Sequence, residues 1–262
     1  MKIAVCIKQV PDTTEVRFDA STNRLIREGV PSIINPDDKA GLEAALRLKE
    51  ETGAAVTAIS MGPPQAEVAL REALAMGCDE AVLITSREFG GSDTYATATI
   101  LVAGLKKVGF DLIITGRQAI DGDTAQVGPQ IAEQLKIPQV SYVDQIRLEG
   151  NYLIVKRQYE DRYHIIKVKM PCLVTVLSEL AEPRYMTVRG IEDAYNAEVK
   201  TLAFDDLKDL LNPEWIGLKG SPTNVVTSFT KQLKRQGEKL TGLAADEAVV
   251  AIVNKLDELH II

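Results

Sequence analysis

The stretch Asp111–Leu135, DLIITGRQAIDGDTAQVGPQIAEQL, reads as a short apolar strand, a glycine-rich loop and a helix, and that order decides the fold. Asp111–Thr115 is a branched apolar run of strand length, and Ala125–Leu135 is a helical stretch. The same unit recurs toward the N-terminus. Lys2–Gln9, Ala54–Ser60 and Glu80–Thr85 are strand-like, and Asp37–Glu51, Gln65–Met76 and Thr94–Val108 are helical. Strands separated by helices of this length build right-handed βαβ units, which predicts an α/β, doubly wound, mainly parallel sheet covered on both faces.

Helix ends agree. Asn35 followed by Pro36 sets a cap with proline at the first helical position, and Gly53 closes that helix; Pro63, Pro64 and Gly77 bracket the next. Along Asp37–Glu51 the residues Ala40, Leu42, Ala44, Ala45, Leu46 and Leu48 form one stripe, opposite Lys39, Glu43, Arg47 and Glu50. After Pro138 the strand-like runs Val140–Leu148, Tyr152–Tyr159, His164–Lys169 and Cys172–Leu177 follow without helices, the first two joined by a Gly150-Asn151 turn. They extend the sheet with antiparallel strands. From Glu179 onward the chain is polar and irregular until a last helix, Ala244–Leu259, and the embedded Leu202, Phe204, Leu210, Leu211, Trp215 and Ile216 suggest an extended arm lying on another protein.

Composition narrows the function. The 262 residues are 45% hydrophobic and carry 30 basic against 37 acidic side chains, a net charge of -7. That balance is the wrong sign for a nucleic-acid binder. Cys6, Cys78 and Cys172 are distant from one another in apolar stretches, and with only His164 and His260 no metal spacing exists. They read as reduced thiols of a cytoplasmic protein, with no metal site. The N-terminal run reads as a strand, not a signal peptide, and no apolar stretch approaches membrane length.

Ligands of open α/β sheets bind at the carboxyl ends of the strands, where the winding reverses. The candidate loops are Cys6–Asp12, Ser60–Pro64, Thr85–Thr94 and Gly116–Gly128, with Asn35, Pro36, Asp37 and Asp38 nearby. The loop Gly116, Arg117, Gln118, Ala119, Ile120, Asp121, Gly122, Asp123, Thr124, Ala125, Gln126, Val127 supplies glycines, a cation, polar donors and the start of a helix, a ready pyrophosphate site. The same residues serve equally as a helix cap with turning glycines. Gly90-Gly91-Ser92-Asp93-Thr94 resembles part of an adenylating-enzyme loop, but Phe89 stands where that motif has serine. Asp93, Thr94 and Thr97 remain candidates for holding a long dinucleotide. The G-x-G-x-x-G fingerprint, the P-loop and the G-x-S-x-G elbow are absent, so no catalytic side-chain constellation is expected and the chain reads as a nucleotide holder.

The strings Asn35-Pro36, Ser60-Met61-Gly62-Pro63, Ala73-Leu74-Ala75-Met76-Gly77, Gly116-Arg117-Gln118-Ala119-Ile120-Asp121, Gln126-x-Gly128 and Glu182-Pro183-Arg184-Tyr185 resemble, in order, the beta subunit of electron transfer flavoproteins. The resemblance implies a fold of the adenine-nucleotide-binding type. It implies a nucleotide domain over 1–180, with a recognition loop and an arm wrapping an alpha subunit over 181–262. Nucleotide contacts are implied at Cys6, Asn35 through Asp38, Met61 and Gly116 through Val127. The mobile loop Arg184–Ile191, with Tyr185 and the apolar anchor Val188, would dock an acyl-CoA dehydrogenase. Gly90–Thr97 and Asn35–Glu43 look like the bifurcating members, whose FAD takes hydride from NADH and also feeds ferredoxin or flavodoxin. The alternatives are a carrier with structural AMP in the same pocket and a stand-alone ATP-binding domain of the universal-stress type. Glu160-Asp161-Arg162 departs from the family's glycine-rich hairpin turn.

Overall fold

The computed structural model describes residues 1–12, 18–19, 24–25, 31–223, 225–226, 237 and 239–262. They fall into two compact units, Met1–Thr227 and Ser228–Ile262. The strands are β1 (Lys2–Cys6), β2 (Gln9–Pro11), β3 (Phe18–Asp19), β4 (Arg24–Leu25), β5 (Ser32–Ile34), β6 (Ala55–Met61), β7 (Glu80–Ile84), β8 (Leu112–Gly116), β9 (Gln139–Glu149), β10 (Tyr152–Gln158), β11 (Tyr163–Lys169), β12 (Cys172–Val176) and β13 (Val199–Leu202). The helices are α1 (Pro36–Thr52), α2 (Glu67–Met76), α3 (Thr94–Val108), α4 (Val127–Leu135), α5 (Val188–Asn196), α6 (Phe204–Leu207) and α7 (Ala245–Glu258).

Nine strands form one sheet in the order β11-β10-β9-β12-β8-β1-β6-β7-β13, and β2 with β5 and β3 with β4 form two small ribbons. From β1 the chain winds outward through β6 and β7, then returns to place β8 on the other side of β1. The winding therefore reverses between β1 and β8, which is where such sheets open a crevice.

Alternation along β1 shows how the sheet is covered. Ile3 and Val5 pack with Leu42 and Leu46 of α1 and Leu70 and Ala73 of α2. Ala4 and Cys6 point the other way, into a second cluster with Ile100 and Leu105 of α3 and Ile131 and Ala132 of α4. Both faces are dry, so the central strands read as unbroken apolar runs. Fully burying a side chain such as Ile114 contributes about 1.5–3 kcal/mol. Gly41 lets α1 settle on the sheet: a Cβ there would lie 2.9 Å from Ile114 Cγ2 and 3.1 Å from Val176 Cγ2.

The expected strands and helices before residue 180 are present, with ends shifted by one to a few residues. Two features differ from the sequence reading. In the nine-stranded sheet only β10 runs against the other strands, pairing antiparallel with β9 and with β11; β9 pairs parallel with β12, because the direction of a crossover is not encoded in a strand's own alternation. The stretch after 180 does not leave the core at once: β13 adds a parallel edge to β7, and Leu207, Leu211 and Ile216 are buried in the α3/α4 cluster. In the second unit, α7 exposes Val249, Val250, Ile252 and Val253. No helix among the described residues is long and apolar enough to cross a membrane.

Candidate functional site

The N-terminal turn of α1 is the base of the crevice. Asn35 is buried, and its carboxamide does not cap α1; Nδ2 donates to the Gln118 carbonyl at 2.8 Å, while the Ile120 N–H donates to Oδ1 at 3.1 Å. Asp38 accepts from the Lys8 N–H at 2.8 Å with one oxygen and from the Gly116 N–H at 2.9 Å with the other. Asp37 accepts from the Ser178 N–H at 3.0 Å and faces Arg117, whose Nε lies 3.5 Å from Oδ2. Three residues of one turn therefore tie together the loops after β1, β8 and β12. The sequence reading gave Asn35, Asp37 and Asp38 as nucleotide contacts; the side chains are engaged by the protein's own backbone and shape the crevice from beneath. Burial pushes the Asp38 carboxyl up to about 7, against the two donating amides, and raises Asp37 despite Arg117.

Gly116 sits where a Cβ would come within 2.2 Å of Asp38 Oδ1, so the close approach of β8 to α1 requires glycine. Beyond it the loop is braced further by Lys8 Nζ, 2.6 Å from Asp121 Oδ1, and by Gln118 Nε2 donating to Asp123 Oδ1 at 2.7 Å. Asp121 and Asp123 thus brace the loop and do not cap α4. The N–H groups of Gly122 and Asp123 both donate to the Ala119 carbonyl, at 3.2 and 2.9 Å. These two amides, expected to cradle a pyrophosphate, are already spent on a turn. Among the described residues no backbone carbonyl accepts from the amides of Thr124, Ala125 and Gln126. Asp123 and Ala125 hold left-handed conformations, φ 49° and 54°, which non-glycine residues adopt at a cost. The row of amides leads into the N-terminus of α4 at Val127, an anion-binding arrangement. Gly128 presses that terminus against the strands, since a Cβ would lie 2.6 Å from Thr175 Cγ2 and 2.8 Å from Thr115 Oγ1.

The other expected contacts surround this point unequally. Cys6 ends β1 as a buried thiol whose pKa is raised to about 12 by burial, an apolar neighbour and not a nucleophile. Met61 ends β6, partly buried. Thr94 reaches the α4 terminus, donating to Gln126 Oε1 at 2.9 Å. Asp93 has little left to offer a ligand. One oxygen caps α3 by accepting from the Ala96 N–H at 3.0 Å, and the other accepts from the Thr223 N–H and hydroxyl at 2.9 and 2.8 Å. Thr97 lies in the first turn of α3, its N–H donating to the Asp93 carbonyl at 2.9 Å.

Sequence reading missed a cleft of about 710 Å³ beside Arg117, lined by Tyr142, Arg157, Tyr159, His164 and Glu179 among others. Tyr142 has φ 59° at an irregularity in the β9–β12 pairing, and the Arg117 guanidinium lies 5.8 Å from its ring centroid. Arg157 lies similarly over Tyr159 at 4.8 Å. The Arg and Tyr residues of the hairpin were the available signal, but their convergence on Arg117 depends on the parallel placement of β9. In the segment expected as the mobile loop Arg184–Ile191, the second half, Val188–Ile191, is the start of helix α5, capped by Thr187, which accepts from the Gly190 N–H. Tyr185 and Val188 are 99% and 86% exposed and Ile191 50%, whereas Arg184 turns inward onto Glu43 and Glu50.

A doubly wound sheet with backbone amides that no backbone carbonyl among the described residues engages, at a helix N-terminus, has the arrangement by which α/β proteins of this class bind nucleotides. Residues 22–207 match the electron transfer flavoprotein domain. The chain is 59% identical over 263 residues to the electron transfer flavoprotein subunit beta of Thermoanaerobacterium thermosaccharolyticum, covering 100% of both. It is 54% identical over 264 residues to the caffeyl-CoA reductase-Etf complex subunit CarD of Acetobacterium woodii, and 51% identical over 268 residues to the acryloyl-CoA reductase electron transfer subunit gamma of Anaerotignum propionicum, each over 100% of both chains. The chain belongs to the electron transfer flavoprotein family, on its beta-subunit side.

Proposed function

We propose that this chain pairs with an electron transfer flavoprotein alpha subunit and holds FAD in the crevice between β1 and β8, as part of a cytoplasmic, NADH-oxidising, electron-bifurcating complex. The observation that carries the nucleotide part of the reading is the row of amides at Thr124, Ala125 and Gln126, which no backbone carbonyl among the described residues engages, at the α4 terminus. FAD bound there would supply the redox chemistry, hydride acceptance from NADH and single-electron transfer toward ferredoxin or flavodoxin and, through the alpha-subunit FAD, toward an acyl-CoA dehydrogenase.

The chain's own residues bind and orient. The Thr124–Val127 backbone takes the pyrophosphate, Arg117 offsets its charge, and Cys6 and Met61 flank the adenine. Asn35, Asp37 and Asp38 fix the loops, and no side chain needs to act as acid or base. Tyr185, Val188 and Ile191 form the apolar face that meets the dehydrogenase, and α7 with the residues around it wraps the alpha subunit. Two relatives named for acyl-CoA reductase complexes support a partner that acts on acyl-CoA substrates.

One observation favours the second reading, a simple carrier with structural AMP: the Asp93 carboxylate, expected to help a longer dinucleotide, is fully engaged by Ala96 and Thr223. Releasing and counting the nucleotides of the purified heterodimer separates the two. Two FAD and no AMP support bifurcation; one FAD and one AMP leave an electron shuttle.

A further inference from the structure

We infer that Glu43 and Arg71 are positioning residues that hold the α5 face in place for its partner; the inference rests on the proposed docking of an acyl-CoA dehydrogenase through Tyr185, Val188 and Ile191. A nine-residue helix is marginal in water by itself, so its order comes from what fastens it. The segment is fastened at both ends.

At its start, Arg184 folds back over α1. Its Nε donates to Glu43 Oε2 at 2.8 Å, Nη2 to Glu43 Oε1 at 3.2 Å, and Nη1 to Glu50 Oε1 at 2.5 Å. The Arg184 N–H also donates to Glu43 Oε2, at 3.1 Å. Arg47 completes the cluster, donating from Nε to Glu43 Oε1 at 2.9 Å and from Nη2 to the Glu182 carbonyl at 3.3 Å. The Glu43 side chain is only 4% exposed, so the latch stands on a buried carboxylate held by two guanidiniums.

At its end, Arg71 of α2 donates from Nη1 to the carbonyls of Ala194, Tyr195 and Ala197 at 2.8, 3.1 and 3.3 Å. It satisfies carbonyls that the end of α5 leaves without helical partners. Between the clamps Gly190 lies flat on α2, where a Cβ would come within 2.5 Å of the Ala75 carbonyl oxygen. The backbone is thereby fixed while Tyr185, Val188 and Tyr195 stand out in solvent. Such a face meets its partner already ordered, which removes an entropic cost from association.

The test uses the intact heterodimer as the varied reactant with a purified acyl-CoA dehydrogenase that accepts electrons from the wild type. Glu43→Gln and Arg71→Met are each expected to raise KM about threefold to tenfold with kcat and nucleotide content unchanged. In a Val188→Ala background the added effect of Glu43→Gln shrinks, because the residue it positions is gone. If Val188→Ala raises KM but Glu43→Gln and Arg71→Met do not, the inference falls and the docking assignment stands. If Val188→Ala leaves KM unchanged, the docking assignment falls and takes the inference with it. An effect of Glu43→Gln equally large in both backgrounds also overturns the inference, since it marks general destabilisation. Should Glu43→Gln prevent assembly, Arg184→Lys keeps the charge while losing the fork, and the same expectations apply to it.

Discussion

Replacing Asn35 by alanine removes the carboxamide that holds the nucleotide loop by both a carbonyl and an amide. Two hydrogen bonds disappear, at 2.8 and 3.1 Å, from a side chain that is 1% exposed. Each bond contributes about 1 kcal/mol net, and an orphaned buried group costs about 1–3 kcal/mol. Ile120 is 43% exposed, so water can reach part of the loop, and the lower end of the sum applies: about 2–3 kcal/mol. For a compact unit of this size, that is a fall of roughly 4–12 °C in Tm. The loop loosened by the change must then be ordered by the nucleotide itself, so nucleotide retention falls with Tm. Asn35→Asp keeps the acceptor for the Ile120 N–H but sets an anionic oxygen against the Gln118 carbonyl and beside Asp37 and Asp38. It is expected to cost at least as much as alanine. The assay is thermal unfolding of the purified heterodimer with nucleotide content measured before and after gel filtration. A Tm within about 1 °C of wild type with full nucleotide content for Asn35→Ala would refute the reasoning, because a clamp of this worth cannot be removed silently.

Further outcomes follow from the same geometry. Gly128→Ala places a Cβ within 2.6 Å of Thr175 Cγ2 and is expected to cost about 1–3 kcal/mol and release the nucleotide, measured by melting and retained absorbance. Ala125→Gly relieves a left-handed alanine at φ 54° and should be neutral or stabilising by up to about 1 kcal/mol; a clear loss of Tm would show that the conformation carries no strain. The Asp38 carboxyl, raised by burial to about 7, binds its proton more tightly folded than unfolded, so its contribution to stability is complete below the ordinary aspartate range and is lost as pH rises through about 7. Melting between about pH 5 and pH 8 should show a downward slope that is reduced in Asp38→Asn; equal slopes would contradict the assignment.

The central strands and helices were legible because both faces of the sheet are dry and proline and glycine mark the helix ends, as at Pro36 and Gly53. Asn35 and Asp93 show where such reading stops. Both stand before a helix, yet Asn35 spends its carboxamide on a loop more than eighty residues away, while Asp93 caps its helix and also grips Thr223. Each is a capping-type side chain placed before a helix; the long-range partner decides what it does. β13 escaped notice because an edge strand of four half-exposed residues lacks an apolar run. α5 was hidden because its order comes from Arg71 and Glu43, which belong to other helices. The nucleotide loop was recognised as a site, but which amides were free became clear only once the turn at Ala119 was seen to occupy Gly122 and Asp123.

The most direct measurement is a crystal structure of the heterodimer with its nucleotides bound, read for the position of phosphorus in this subunit. The account predicts phosphate oxygens within hydrogen-bonding distance of the Thr124, Ala125 and Gln126 amides, with the Arg117 guanidinium alongside. A crevice between β1 and β8 holding no phosphate, with every nucleotide bound by the alpha subunit, would contradict it.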